Sequence, residues 1–380
     1  MEERSPQLSR AQRLLLLSAG VAYVAWCTLY VWRTSFVSEG ERVFCLWDDG
    51  MVAMHYARNF AHGDGLLWNP GEAPVQGFTN LGVTLVMAAV HWLPLTSNTV
   101  ALAFQVLNVV LLAGIAVLVF CLARRLFPEH PGVAMAATLA NLVCAPLAIW
   151  SLQGSDAGFI AIWLLASLVV VCNPDRAGGR WRWWVFVLLA LGLVIRADAA
   201  LLYVLVCGGA VVSRAPRWRR LGWCAAVLLA VLGGLVALSW LYYGDPLPNT
   251  YYLKATGSPR WLVLRHGLHQ VGGWLPWLTP ALALGTFAAI RWRRRPFVVT
   301  LWAIVAVSVG YCVWVGGDWA PQFGVRFFAP CLPLLAILSA AGLQPLCARA
   351  LVDWGPHSRV WGLVGLAVAV TLLGNPSQAS

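Results

Sequence analysis

A chain of 380 residues that is 60% hydrophobic and 11% charged, with mean hydropathy +0.73, is not an ordinary soluble domain, in which about a quarter of residues are charged. Its formal net charge of +11 would suit a nucleic-acid binder, but the basic residues lie in short clusters between apolar runs of about 20 residues, the pattern of a polytopic membrane protein. The 10 cysteines form no CxxC pair and sit mostly inside apolar runs (Cys121, Cys144, Cys172, Cys207), which excludes a sequence-coded zinc site or disulfide scaffold.

The first apolar run, Leu14 to Trp32, is too long for a cleaved signal and lacks a small-residue cleavage site, so it reads as a signal anchor. Crossings are expected at 13–33, 100–122, 132–150, 156–172, 184–196, 198–213, 221–242, 274–290, 297–315, 328–347 and 360–374. The segment 80–95 is ambiguous, and arginine placement resolves it. Arg124 and Arg125 fall on the same face as the clusters around Arg10, Arg182, Arg219, Arg294 and Arg349 only if 80–95 does not cross. It is therefore taken as re-entrant or lying in the outer leaflet. The expectation is a single all-α transmembrane domain over 1–380 with about 11 crossings, its outer loops at 34–80, 243–273 and 316–327. Eighteen of the 26 basic residues then face the cytoplasm, and ten of the 15 acids lie at or near the opposite face. The 22 tryptophans suit aromatic belts at the two interfaces.

The first outer loop carries "DDGMVAMHYARNFAHGDGLLWNPGEAPVQGFTN". Asp48 can cap a helix from Asp49 to about His62 that stops at Gly63. His55, Arg58 and His62 share one face of it by spacing, and Val52, Tyr56 and Phe60 share another that suits the membrane interface. Capping uses one carboxylate, and two are present. Trp68 and Phe78 would hold the following turn-rich stretch against the bilayer. Four further clusters reach the same face: "SLQGSDAG" with Asp156, "VIRADA" with Arg196 and Asp198, "YYGDPLPNTYYLKATG" with Asn249, Tyr251 and Lys254, and "GGDWAPQFGVRFFAP" with Asp318 and Arg326. Singly each is a plain polar loop or a local ion pair. Together they form a ring of acids, cations and aromatics around one opening. Ionisable groups within apolar runs usually mark a functional cavity, because they cost several kcal/mol unless paired or hydrated.

That inventory suits group transfer to a hydroxyl. A carboxylate takes the proton of the attacking group, arginine or lysine holds a phosphate leaving group, and a cleft between helices admits a lipid tail. No P-loop or GxGxxG element offers a nucleotide site, so a lipid-linked donor is favoured. The five motifs, in this order, resemble the GT-C glycosyltransferases, multi-spanning enzymes that use polyprenyl-phosphate sugars, and within them the mycobacterial terminal arabinofuranosyltransferase branch. The resemblance implies Asp48 as general base, with Asp49 beside it to orient it or hold a cation. It implies a polyprenyl-phosphate sugar, arabinofuranose first, as donor, and a cell-envelope glycan or lipid as acceptor on the outer side of a bacterial inner membrane, with inversion at the anomeric carbon. His55, Arg58, Asp156, Arg196, Asp198, Asn249, Tyr251, Lys254, Asp318 and Arg326 are the substrate- and phosphate-binding candidates. Asp156 and Asp198 stand where the class often has glutamate, so the acids are kept but shortened. Many members also carry a soluble C-terminal domain, which this chain is expected to lack. No cofactor is required by the pattern, although paired carboxylates at Asp48 and Asp49 are the place for a divalent cation. The rival readings are a lipid or small-molecule transporter, which would place its charges at mid-depth and show an inverted repeat, and a non-catalytic scaffold subunit.

Overall fold

A computed structural model describes residues 8–173, 183–213, 217–255, 258–317, 325–350 and 362–369. Fourteen labelled α-helices and one two-stranded hairpin follow in chain order, and residues 362–369 are also helical. Helix α1 (Arg10–Thr34) starts at a capping box, in which the Ser9 hydroxyl accepts from the Gln12 amide while the Gln12 side chain accepts from the Ser9 amide. The hairpin β1 (Phe36–Ser38) and β2 (Glu41–Val43) follows, paired antiparallel in the register Val37 to Arg42. Next come α2 (Asp48–Ala61), α3 (Leu81–His91), α4 (Ser97–Leu126), α5 (Pro131–Leu142), α6 (Ala145–Leu152), α7 (Ala157–Val171), α8 (Trp183–Ile195) and α9 (Ala200–Val212). The chain continues through α10 (Arg217–Tyr243), α11 (Asn249–Ala255), α12 (Arg260–Arg291), α13 (Pro296–Val315) and α14 (Leu332–Ala350).

The all-α membrane bundle expected from the sequence is what forms. Six helices, α1, α4, α10, α12, α13 and α14, are long and apolar enough to cross a membrane. The expected crossing at 132–150 is a bent pair, α5 and α6, broken by 50° near Cys144, and with it the count is seven. The remaining expected crossings fall on short apolar helices such as α7 (15 residues) and α9 (13 residues), or, for 360–374, mostly outside the described residues. At 11 residues α3 is about 16 Å long, roughly half the hydrocarbon thickness, which agrees with a segment that does not cross.

Two boundaries differ from expectation. The outer loop read over 243–273 ends early, because α12 runs unbroken from Arg260 to Arg291 with Pro276 and Pro280 inside it. Prolines and an Arg260–His269 polar stretch hide that helix from a hydropathy reading. Asp48 is also the first residue of α2 rather than its cap; Trp47 holds the cap position in extended backbone.

The core lies where α14 packs on α5 and α12 and where α4 packs on α5 and α7. In α14, 78% of the apolar stretch is inside the molecule, against 6% in α10, whose Leu229, Trp240 and Leu241 turn outward as lipid-facing side chains do. All ten cysteines are free. At one end of the bundle Arg295 bonds the Leu126 carbonyl and pairs with Glu129, and its guanidinium lies 4.6 Å from the Trp292 ring. Arg125 reaches the carbonyl of Val169 at the far end of α7. These contacts gather the ends of α4 and α7 and the start of α13 into one basic face, as the arginine clustering predicts. Asp49, Asp156 and Asp198 collect at the other end, roughly 22 Å away along α7.

Candidate active site

The site is assembled from breaks in the apolar helices. Asp156 sits at the start of α7, just after the turn that follows α6. Arg196 and Asp198 occupy the interruption between α8 and α9, where one 3-10 turn covers Ala197–Ala199. An extended residue at Arg196 ends α8 and aims the guanidinium back across the bundle. It meets Asp156 Oδ2 through one nitrogen at 3.0 Å and Asp198 Oδ1 through Nε at 2.8 Å. Asp198 also accepts from the Tyr311 hydroxyl, which projects from the last turns of α13. Arg326, in the turn before α14, pairs with Asp49 at the start of α2. Its guanidinium lies 5.3 Å from the Trp150 ring, and Phe327 stacks beneath Arg196 at 5.1 Å. A cavity of about 50 Å³ opens among Asp156, Arg196, Asp198, Tyr311, Arg326 and Phe327.

Burial decides the electrostatics. Desolvation would raise the carboxyl of Asp156, but Arg196 and Arg326 outweigh it and hold its pKa below the usual carboxylate value. The Arg196 guanidinium is likewise opposed by desolvation and held charged by Asp156 and Asp198. Arg196 is thus saturated by two carboxylates and has little charge to offer a ligand. Arg326, whose ion-pair partner Asp49 is 62% exposed, is a cation that a phosphate can recruit by displacing Asp49. Asp48 is exposed, its Oδ1 accepts the Asp49 amide at 2.8 Å, and it makes no ion pair among the described residues.

The start of α2 is clamped to the turn between α6 and α7. The Trp47 amide donates to the Gln153 carbonyl at 3.1 Å, and the Trp47 and Trp150 rings meet edge to face at 4.8 Å. Gly50 and Gly154 make the close approach possible. A Cβ on Gly154, whose φ is +90°, would lie 2.9 Å from a Leu46 methyl and 3.1 Å from the Gly50 Cα. Gly154→Ala is therefore expected to lower stability by about 1–3 kcal/mol, read as a drop in the thermal midpoint of the detergent-solubilised protein.

Five of the sequence candidates converge here: Asp49, Asp156, Arg196, Asp198 and Arg326, with Asp48 adjoining. Others do not. His55 Nε2 bonds the Trp68 carbonyl at 2.8 Å, holding the loop after α2. Phe78 does not lie on the bilayer; it is buried against Tyr56 and Tyr243. Asn249 contributes its amide, which donates to the Gln76 carbonyl at 2.9 Å, and Tyr251 is exposed beside Tyr252 on α11. Arg58 lies nine residues along α2 from Asp49, roughly 14 Å at 1.5 Å per residue. The side chain of Lys254 and the whole of Asp318 fall outside the described residues. Tyr311 was missed; a lone tyrosine within the apolar "SVGYCVW" was its only signal. The loop between α2 and α3 is itself pinned by Tyr242, which accepts the Leu66 amide at 3.1 Å, and by Tyr243, which donates to the Leu66 carbonyl at 2.9 Å.

Among the described residues no three His, Cys, Asp or Glu side chains are grouped as metal ligands. Asp48 and Asp49 are the nearest to such a set, and Asp49 is engaged by Arg326.

No family model matches the chain. It is 24% identical over 359 residues to a terminal beta-(1->2)-arabinofuranosyltransferase of Mycobacterium tuberculosis, across 84% of this chain and 55% of that protein. The chain thus spans about half the length of the curated relative it matches. In structure it is similar to an oligosaccharyltransferase of Archaeoglobus fulgidus, with a TM-score of 0.62 at 13% identity over 96% of this chain and 53% of that one. It is also similar to ArnT of Cupriavidus metallidurans bound to undecaprenyl phosphate, with a TM-score of 0.57 at 16% identity over 98% and 78%. The chain shares its overall fold with these two solved structures.

Proposed function

We propose that this GT-C-fold chain is a membrane glycosyltransferase that moves a sugar from a polyprenyl phosphate to a hydroxyl of a cell-envelope glycan or lipid. The observation that carries the reading is the convergence of Asp49, Asp156, Arg196, Asp198 and Arg326, from distant parts of the chain, at one end of the bundle. The basic face at the other end supports an extracytoplasmic site in the bacterial inner membrane.

In this mechanism Asp48, the carboxylate without an ion pair among the described residues, takes the proton of the acceptor hydroxyl. The oxygen attacks the anomeric carbon, the bond from that carbon to the phosphate oxygen breaks, and polyprenyl phosphate leaves with the electron pair. Arg326 offsets the charge of the leaving phosphate once Asp49 has yielded it. Asp156 and Asp198 fix Arg196, and that fixed triad walls the cavity so that the phosphate meets Arg326. Direct displacement inverts the anomeric configuration. Arabinofuranose is the first donor to try, given the mycobacterial likeness. The mechanism routes no step through a metal; among the described residues Asp48 and the engaged Asp49 would be the pair to hold a divalent cation.

The test is reconstitution of the full chain in proteoliposomes with a panel of polyprenyl-phosphate pentoses and hexoses and synthetic glycan acceptors, read by mass spectrometry. Extended acceptor together with free polyprenyl phosphate is the expected result. Lipid moved between leaflets with no glycosidic product would instead establish a transporter.

A further inference from the structure

The loop after α2 holds an indole that the transfer chemistry does not use. Trp68 is 42% exposed, yet both its backbone and its ring are fixed. Its carbonyl accepts from His55 Nε2 at 2.8 Å and from the Asn59 side-chain amide at 3.0 Å. The same amide donates to the Leu67 carbonyl at 2.9 Å. The indole lies 4.4 Å from the His55 ring and 5.7 Å from the Tyr56 ring, centroid to centroid. Tyr56 is itself buried and bonds the Val75 carbonyl at 2.7 Å. Contacts on both carbonyl and ring leave the indole little freedom, so its open face is presented in one place.

Helix geometry says where that place is. At 3.6 residues per turn, His55 and Asn59 fall within about 20° of the line that runs along α2 through Asp48. Trp68, packed on His55, therefore stands roughly 10 Å from Asp48 along the same face of the helix. A glycan that offers its terminal hydroxyl to Asp48 and runs back along α2 meets the indole a few sugar units later. The surroundings are polar rather than lipid-like. Asn69 and Glu72 beside the indole are exposed and joined by a hydrogen bond of 2.9 Å, and Asp48 and Asp49 are exposed on α2. An amide and a carboxylate are partners for sugar hydroxyls, and a flat apolar ring is a surface for a sugar's C–H face. The acids along the path disfavour an anionic chain.

We propose that Trp68 is the stacking platform of an acceptor subsite, and that the acceptor is a neutral oligosaccharide chain long enough to reach it from Asp48. The inference rests on the glycosyltransferase reading above and narrows its acceptor to a glycan of several units. The terminal sugar presents its hydroxyl to Asp48. An inner sugar lies on the indole with its hydroxyls toward Asn69 and Glu72, while His55 and Asn59 hold the platform in place. Recognition of an inner unit makes the site sensitive to the length of the acceptor as well as to its end.

Isothermal titration calorimetry of the full chain in detergent tests this without requiring transfer. The probes are neutral pentose and hexose oligosaccharides, each as a disaccharide and as a hexasaccharide. The hexasaccharide that wild type binds best is expected to bind Trp68→Ala about three- to tenfold more weakly, the scale of one aromatic stacking contact. Trp68→Phe should keep most of the affinity. In the transfer assay, the ratio of kcat/KM for hexasaccharide over disaccharide should fall by the same factor in Trp68→Ala; a folding defect lowers both values and leaves the ratio. No hexasaccharide bound by wild type, equal affinity in wild type and Trp68→Ala, or Trp68→Phe as weak as Trp68→Ala overturns the platform. Binding that depends on Trp68, with no glycosidic product from any donor, would leave the platform standing and sink the transfer reading, so the two failures are distinguishable.

Discussion

Exchange of Asp48 for asparagine is expected to slow glycosyl transfer by about 10²–10⁴-fold while donor affinity stays within about twofold. The side chain keeps its size and its acceptor contact to the Asp49 amide, made at 2.8 Å in the wild type, so the start of α2 should hold. What is lost is the capacity to take a proton. Donor binding is assigned to Arg326, whose ion-pair partner is Asp49 and not Asp48, and should not follow. The check is a single-turnover assay with labelled donor beside an equilibrium binding measurement on the same preparation. Full transfer by the variant would remove Asp48 from the mechanism. Loss of donor binding along with transfer would make it a structural residue.

Replacing Arg196 by methionine should be worse for the whole molecule. The guanidinium neutralises two carboxylates, and the Asp156 side chain it faces is only 6% exposed. Removing one partner of a buried pair strands the other, at about 3–5 kcal/mol. The dependence on acidity should also change sign. In the wild type the Asp156 carboxyl titrates below its ordinary range, so its contribution is present above the unfolded-state value and lost only as pH falls through the lower folded one. Without Arg196, desolvation is opposed by Arg326 and the Ser155 hydroxyl, and is expected to push that carboxyl up. The buried charge then penalises folding as pH rises, and the variant should grow more stable, not less, between neutrality and mild acid. Thermal midpoints across that range, with Arg196→Met, Asp156→Asn as a partial rescue, check both sign and size. An Arg196→Met midpoint within a degree or two of wild type would mean that the pair is dispensable.

Much of this was legible because lipid is an exacting solvent. An unpaired charge within an apolar run is too costly to be incidental, so Asp156, Arg196 and Asp198 stood out although their motifs are short. Arginine clustering likewise argues that α3 does not cross, a reading its 11 residues are consistent with. Pairing was not legible, because it depends on how helices cross. Nothing local says that Asp49 meets Arg326 across 277 residues, or that the hydroxyl of Tyr311 lands on Asp198. The polar loop after α2 misled for the opposite reason. His55 on α2 reads as a ligand in sequence, yet like its neighbours it satisfies that loop's backbone: His55 and Asn59 bond the Trp68 carbonyl, and Tyr56 bonds the Val75 carbonyl. A long loop at a membrane surface has many amides to satisfy, and side chains recruited for that are indistinguishable in sequence from side chains kept for a substrate.

The two ends of the bundle differ in how they would tolerate mutation. Arginines recur at the end of α4, the start of α13 and the end of α14, so the orientation of the chain is written several times over, and loss of one flank leaves the others to decide it. At the opposite end, among the described residues, Arg326, Arg196 and Asp48 each have a separate task. Sequence drift should therefore accumulate among the basic flanks, each change masked by its neighbours, while the carboxylate end has no redundancy to absorb it.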